Sequence, residues 1–317
     1  MRLCSRHRRV EALLFTLVFS CQVAAESALR FFAFGDVPYT AAETEILESL
    51  LQEVRAQRPA FLVHVGDVKS GNAPCTARGL GHMADLFKTQ PVPVVYTPGD
   101  NEWTDCHRDG AGGYDPLERL GVLRPLYFGD RNVLRLQDLD VSRENVAFPE
   151  NYWFIRNGVV FVTVHIVGRH NNQDSADPAA LVELGERSDA NRRNLRTAVD
   201  AANAADATAF VLMFHANPGL EKQSPPLGFE YLHDDLASLL RDFSGPVLAI
   251  HGDTHKYRFD HPLRDPETGG ALQRFTRLEV PGSPMVGGVW VSVDPEAAEP
   301  FSVELAYPDA MEHLMEK

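Results

Sequence analysis

Short, densely apolar runs alternate with longer amphipathic ones through the first hundred residues, and the apolar runs share one ending. LRFFAF, AFLVHV and VPVVYT are nearly unbroken by polar residues, the pattern of strands buried on both faces of a parallel sheet. Each is followed closely by a glycine and an acid: Gly35-Asp36, Gly66-Asp67 and Gly99-Asp100. Between the first two, residues 42–57 set Ile46, Leu47, Leu50, Leu51 and Val54 at helical spacing with Glu and Gln opposite, and residues 78–89 carry a weaker version of that pattern. The alternation predicts a β-α-β-α-β unit, hence an α/β fold with right-handed crossovers. Further on, 151–156 and 159–167 flank Asn157-Gly158, a strong hairpin signal. Helical spacing returns at 179–204 and 229–243, and the apolar strands 208–214 and 246–250 run into His215 and into HGDTH. From 257 onward the pattern predicts successive antiparallel strands at 256–259, 272–280, 289–293 and 302–307. Residues 104–149 are harder to read: 110–113 is a Gly-rich loop, 116–128 is expected to be helical, and the remainder is expected to form a lid.

Composition narrows this picture. The chain has 317 residues, 44% of them hydrophobic, enough for one large α/β domain, and its net charge of −14 argues against a nucleic-acid surface. Arg2, Arg6, Arg8 and Arg9 precede an apolar run at 12–19, and Val23-Ala24-Ala25 offers small residues for cleavage. Residues 1–25 therefore read as a secretory signal, 26–317 as one domain, and the mature protein as exported, periplasmic or extracellular. Cys21 opens a lipoprotein alternative, which Phe19 fits badly. No run approaches the roughly 20 apolar residues of a membrane-spanning helix. Export would leave two cysteines, Cys75 and Cys106, each a few residues past a strand end, and in an oxidising compartment these are expected to pair.

The chemistry-bearing residues collect at five strand ends: Asp36, Asp67, Asp100 with Asn101, His215, and Asp253 with His255. Parallel sheets place their ligand sites at the carboxyl ends of strands, and carboxylates crowded there repel one another unless a cation lies between them. A metal cluster is the economical reading. Taken singly, a Gly-Asp after a strand is a turn. His64 and His165 sit inside apolar runs and read as hydrogen-bonded core histidines. Trp103 closes a loop or stacks on substrate; Lys69 and the stretch His170, Asn171, Asn172 read as solvated loop, with phosphate attraction or substrate recognition as the alternatives.

In order, FGDVPY, VGDVKSG, PGDNE, MFHANP and HGDTH resemble the five motifs of the calcineurin-like metallophosphoesterase superfamily, the group that includes purple acid phosphatases. The resemblance implies two mixed β-sheets packed as a sandwich flanked by helices, in four layers. It also implies two divalent or trivalent metal ions (Mn, Fe, Zn or Mg), with Asp67 shared between them, Asp36 and His255 on the first, and Asp100, His215 and Asp253 on the second. Three positions depart from the family pattern. Pro38 stands where a His is expected, with Tyr39 next to it as a substitute ligand; Asp100-Asn101 replaces Asn-His; and Asp253 replaces the first His of the last motif, with His251 two residues earlier. These changes move the donor set toward oxygen, which favours Mn, Mg or Fe over a nitrogen-rich zinc site. They also remove an acid: Asn101 can hydrogen-bond phosphate but cannot protonate a leaving group, which makes His251 the substitute candidate. The implied function is a secreted phosphoesterase, hydrolysing a phosphate mono- or diester through a dinuclear centre and a metal-bound hydroxide. The alternative is a catalytically inert relative that binds a ligand or partner; such a protein would be expected to lose ligands to apolar residues, and these substitutions mostly retain metal-binding atoms.

Overall fold

A computed structural model describes residues 28–265, 267–294, 297–308 and 311; the signal reading of residues 1–25 falls outside them. Strand β1 (Leu29–Phe34), helix α1 (Ala41–Ala56), β2 (Leu62–His64), α2 (Ala77–Lys88) and β3 (Val94–Tyr96) follow the expected alternation. Both helices start on a threonine whose hydroxyl accepts a backbone N–H of the first turn, Thr40 from Glu43 and Thr76 from Gly79. After α3 (Pro116–Arg124) come the hairpin β4 (Trp153–Arg156) and β5 (Val159–Thr163), α4 (Pro178–Ala204), β6 (Ala209–Met213), α5 (Glu230–Asp242) and β7 (Val247–His251). Then come β8 (Arg258–Asp260), β9 (Phe275–Glu279), β10 (Gly288–Val293) and β11 (Phe301–Ala306). Asn157 and Gly158 both take positive φ, as the hairpin turn requires.

Two mixed sheets result, ordered β11-β10-β1-β2-β3 and β4-β5-β6-β7-β9-β8. In the first, β1, β2 and β3 are parallel; in the second, β5, β6, β7 and β9 are. Alternation along β6 shows how they stack. Ala209, Val211 and Met213 join the core shared with β1, β2 and β3, whereas Phe210 and Leu212 pack with Leu195 and Ala198 of α4 and Leu232 and Leu236 of α5. Between the sheets, Phe61 stacks on Phe31 at 4.8 Å and meets Phe161 edge-on at 5.2 Å. Truncating Phe61 to Ala would cost about 3–5 kcal/mol on the scale of buried aromatics. With α1 and α2 against the first sheet, the layering is helix, sheet, sheet, helix.

Two expectations are corrected. The tail is not a simple antiparallel run: β9 lies parallel to β7 and only β8 pairs antiparallel with it, after which the chain crosses to the other sheet, where β10 pairs antiparallel with β1 and β11. Nor is the remainder of 104–149, beyond the helix expected at 116–128, a lid. Leu120, Leu123, Tyr127, Val133, Leu134 and Leu139 are buried in the main core, and the Tyr127 hydroxyl donates to the Leu80 carbonyl of α2 at 2.8 Å.

Candidate metal centre

Parallel β1, β2 and β3 bring Asp36, Asp67 and Asp100 to one edge, and β6 and β7 bring His215, Asp253 and His255 to face them. Asp36, Asp67, Asp253 and His255 all adopt left-handed backbone, with φ of 55, 58, 79 and 60°. Non-glycine residues are held in that region where surrounding structure over-determines them, often at functional sites. Asp36, Asp67 and His215 each offer a ligand atom, and these atoms lie within 4.8 Å of one another. His215 Nε2 is 3.5 Å from both Asp67 and Asp100, and His255 Nε2 is 3.6 Å from Asp36. Asp36 is fixed in turn by the Asp253 backbone N–H at 3.1 Å. A Cβ placed on Gly168 would stand 2.3 Å from Asp100 Oδ2 and 3.0 Å from Asp253 Oδ1, so these two carboxylates share the side of the cluster that Gly168 covers. Tyr39 joins them: its hydroxyl donates to Asp67 at 3.0 Å and lies 3.3 Å from His255 Nε2.

Tautomers follow from the partners. A carbonyl oxygen can only accept, so His215 Nδ1 donates to Val65 O at 2.8 Å and His255 Nδ1 donates to Ser283 O at 2.6 Å. Each ring therefore presents Nε2 to the carboxylates, the arrangement that backbone carbonyls impose on metal-binding histidines. His215 Nε2 is buried with no hydrogen-bond partner. Burial pushes Asp36 and Asp67 well above the usual carboxylate range, with the negative charge of Asp253 adding to it at Asp36 and that of Asp100 at Asp67, and Asp253 is raised chiefly by burial too. Although burial opposes it, Asp67, Asp100 and Asp36 hold His215 well above its ordinary value. A proton there occupies the place of a cation, and the donor set fits a metal.

His251 does not join the cluster. Among the described residues it has no hydrogen bond or ion pair to any of the carboxylates; its buried ring stacks on Phe214 at 5.6 Å and donates through Nδ1 to Gly252 O. Burial pushes it down to about 3, so it is neutral at ordinary pH and holds no proton for a leaving group. Asn101, by contrast, is central: its side-chain amide donates to Asp67 at 2.6 Å and to the Tyr39 hydroxyl at 3.0 Å. Cys75 and Cys106 are joined by a disulfide, with their sulfurs 3.6 and 3.8 Å from the Asn101 carbonyl.

The other singled-out residues sort by burial. His64 is a core histidine, donating to Val37 O at 3.3 Å and accepting the Gly66 N–H. His165 pairs with buried Glu150 at 2.9 Å, and Trp103 is buried beside it, closing the loop rather than facing solvent. Lys69 is not solvated: it is 6% exposed, donates to Ser70 O, and is lowered by burial, with Glu102 and Asp67 opposing. Asn171 is wholly buried, bonded to Val167 N, Gly228 O and Tyr231.

Converging carboxylates and imidazoles of fixed tautomer at the strand ends of a two-sheet sandwich define a metal-dependent hydrolase class of site. Residues 29–257 match the family model described as calcineurin-like phosphoesterase, and the chain belongs to that family; as a phosphoesterase it is a hydrolase. No curated protein matches the sequence. Among solved structures it is similar to a dimetal phosphatase from Danio rerio, with 14% identity over 90% of this chain and 94% of that one and a TM-score of 0.51. It is also similar to GAP50, the anchor in the inner membrane complex of Plasmodium, with 13% identity over 92% and 95% of the two chains and a TM-score of 0.50. PhoD matches at 11% identity over 90% of this chain and 69% of that chain, with a TM-score of 0.52. At these identities the likenesses bear on the fold.

Proposed function

We propose that this chain is an exported phosphoesterase that hydrolyses a phosphate mono- or diester at a dinuclear metal centre. The observation that carries the reading is the buried Nε2 of His215, which has no hydrogen-bond partner and lies 3.5 Å from two carboxylates while its other nitrogen is committed to a backbone carbonyl. Asp67 would be the shared ligand, with Asp36, His255 and Tyr39 toward one ion and Asp100, His215 and Asp253 toward the other. A bound pair of ions supplies positive charge for a phosphoryl oxygen and acidifies water. The oxygen-rich donor set favours Mn, Mg or Fe.

The remaining work falls to the chain's own residues. Asn101 is placed beside Asp67 to hydrogen-bond a phosphoryl oxygen, and Tyr39 orients Asp67. Asn101 carries no acidic proton, and the Tyr39 hydroxyl already directs its proton to Asp67. The departing oxygen must therefore leave without a proton from these side chains, which suits an activated ester. An open groove of about 510 Å³, bounded by Tyr39, Lys69, Pro74, Arg78 and His82, offers room for the leaving group. The Cys75–Cys106 disulfide supports export, since such bonds persist in oxidising compartments.

Elemental analysis after reconstitution with Mn²⁺, Zn²⁺ or Fe, paired with assays on p-nitrophenyl phosphate and bis(p-nitrophenyl) phosphate, tests this reading. Two ions per chain and metal-dependent release of nitrophenol are expected. Metal binding without hydrolysis of any ester would favour the inert, ligand-binding alternative.

A further inference from the structure

Glu43 is a buried carboxylate outside the metal centre, in the first turn of α1 and 8% exposed. In the sequence it is one of several acids on the polar face of that helix, and only the fold sets it apart. Its N–H donates to the hydroxyl of the capping Thr40 at 3.2 Å, one half of the reciprocal cap in which the acid three residues on returns to the N–H of the capping residue. Here the acid reaches one residue further back: Glu43 Oε2 accepts the Tyr39 N–H at 2.7 Å. Its other oxygen leaves the helix altogether. Glu43 Oε1 accepts the Ser283 hydroxyl at 3.0 Å, from a loop 240 residues later in the chain. A helix cap accounts for the first bond and has no use for the second.

Ser283 carries the connection onward. Its carbonyl accepts from His255 Nδ1 at 2.6 Å, and its N–H donates to the Asp36 carbonyl at 2.9 Å. The preceding Gly282 lets this loop lie against both residues: a Cβ there would stand 2.5 Å from Asp36 Cβ and 3.0 Å from His255 Cγ. Tyr39, Asp36 and His255 are thus each linked to Glu43, directly or through Ser283. They are also the three residues assigned to one ion. Residues assigned to the other are fixed by different partners. His215 is wholly buried and its Nδ1 is held by the Val65 carbonyl beside β2, while the Asp253 carboxylate accepts the Asn217 N–H at 2.8 Å. The His255 side chain, by contrast, is 29% exposed on a loop and depends on the Ser283 carbonyl for its orientation.

We propose that Glu43 is a positioning residue for one ion of the pair: through the Tyr39 N–H and the Ser283 hydroxyl it sets the placement of Tyr39, Asp36 and His255, so that its loss weakens that ion and spares the other. The inference rests on the two-ion assignment made under the phosphoesterase reading. A ligand ring is oriented only as firmly as the carbonyl that holds its second nitrogen, and such outer partners carry about 10–100-fold in metal affinity. Removing the carboxylate leaves the Tyr39 N–H and the Ser283 hydroxyl without their acceptor, and both supports of that ligand set loosen together.

The test titrates Zn²⁺, which is diamagnetic, into metal-free wild type, Glu43→Ala, Glu43→Gln, Ser283→Ala and Glu45→Ala. Calorimetry counts the ions and their affinities, and NMR follows the imidazole signals of His215 and His255. Wild type should take two ions. Glu43→Ala should keep one at wild-type affinity and weaken the other about 10–100-fold, with the His255 signal shifting only as the weakened ion binds. Ser283→Ala retains the backbone bonds to His255 and Asp36 and the helix cap, and should weaken the same ion by less. Glu43→Gln can accept the Tyr39 N–H and donate to Ser283 Oγ, so both affinities should return to within a few-fold of wild type. Glu45→Ala removes an exposed acid of the same helix and should alter neither ion.

A lower melting temperature in Glu43→Ala with both affinities unchanged overturns the proposal and leaves Glu43 a helix cap. Equal weakening of both ions, weakening confined to the ion sensed by His215, or the same selective loss in Glu45→Ala overturns it as well. Should Glu43→Ala fail to fold, Ser283→Ala decides, and unchanged affinities there are fatal. A wild type that binds no ion sinks the metal centre and this inference with it. Selective weakening in a protein that hydrolyses neither p-nitrophenyl phosphate nor bis(p-nitrophenyl) phosphate sinks the phosphoesterase reading and leaves the role of Glu43 standing.

Discussion

Asn101 is tied to Asp67 twice, by its backbone N–H to one carboxylate oxygen at 3.0 Å and by its side-chain amide to the other at 2.6 Å. The residue that orients the central carboxylate therefore has no proton to donate, and neutral His251 lies outside the cluster. A positioned general acid contributes about 10²–10⁴-fold to esters with poor leaving groups and little to activated ones. Monoesters graded in leaving-group pKa should show kcat falling steeply from nitrophenyl to alkyl. A flat profile would reveal an acid that this geometry does not contain.

Asp67 lies 3.5 Å from His215 Nε2 and accepts from Tyr39 and Asn101. Asp67→Asn keeps the shape but removes charge from the proposed shared position, so metal stoichiometry should fall and hydrolysis should drop by at least about 10³-fold, in line with loss of metal-ion catalysis. In the metal-free protein the sign reverses. Burial and the neighbouring Asp100 and Glu102 raise Asp67, so its charged form disfavours folding above its ordinary range, and the neutral Asn should melt higher. Elemental analysis and thermal unfolding in chelator check both halves. Unchanged metal binding together with an unchanged melting point would reduce Asp67 to a turn residue.

What was legible in the sequence followed from burial. Strands covered on both faces must be continuously apolar, so β1, β2, β3, β6 and β7 and the polar residues at their ends could be located without coordinates. The course of the tail could not. The strand Phe275–Glu279 has the same composition whether it pairs parallel with β7 or antiparallel with a later neighbour, and nothing in residues 280–287 marks the crossing to the other sheet. The segment after 128 was misjudged for a related reason: apolar residues such as Val133, Leu134 and Leu139 read alike whether they cover a site or pack into the main core. His251 was misread because proximity in sequence to Asp253 carries no information about which face of β7 its ring occupies.

His251 predicts an acid sensitivity. Its folded value is pushed by burial to about 3, below the ordinary 6.5. Above pH 6.5 the ring is neutral whether folded or unfolded. Below it, the unfolded chain takes up a proton that the folded chain refuses until about pH 3, so stability is lost across that window at up to about 1.4 kcal/mol per pH unit. His64, also lowered to about 3 by burial, carries the same sign. Replacing His251 with Phe, which retains the stack on Phe214, should make the protein about 2 kcal/mol less sensitive to a shift from pH 7 to 5. Urea denaturation at the two pH values measures the difference. Hydrolysis per folded molecule should survive within a few-fold; a large loss of kcat would return His251 to the role of acid.

The Cys75–Cys106 disulfide serves both the chain and the site, and the two contributions separate experimentally. Closing a loop over a sequence separation of 31 residues restrains the unfolded ensemble, worth roughly 3.5–4 kcal/mol in the chain-entropy account. That share acts through the unfolded state and leaves the geometry of the folded site untouched. Packing is the second share. Both sulfurs are buried within 3.8 Å of the Asn101 carbonyl, and the loop they close holds Asp105, whose carboxylate pairs with Arg108 just beyond it. Replacing both cysteines with Ala should therefore lower stability by about 3–4 kcal/mol in urea titrations. It should also lower kcat several-fold at full metal occupancy, because Asn101 loses the floor it rests on. Should stability fall as stated while kcat per folded, metal-loaded molecule stays at the wild-type value, then the twin hydrogen bonds to Asp67 hold Asn101 unaided and the disulfide restrains only the chain.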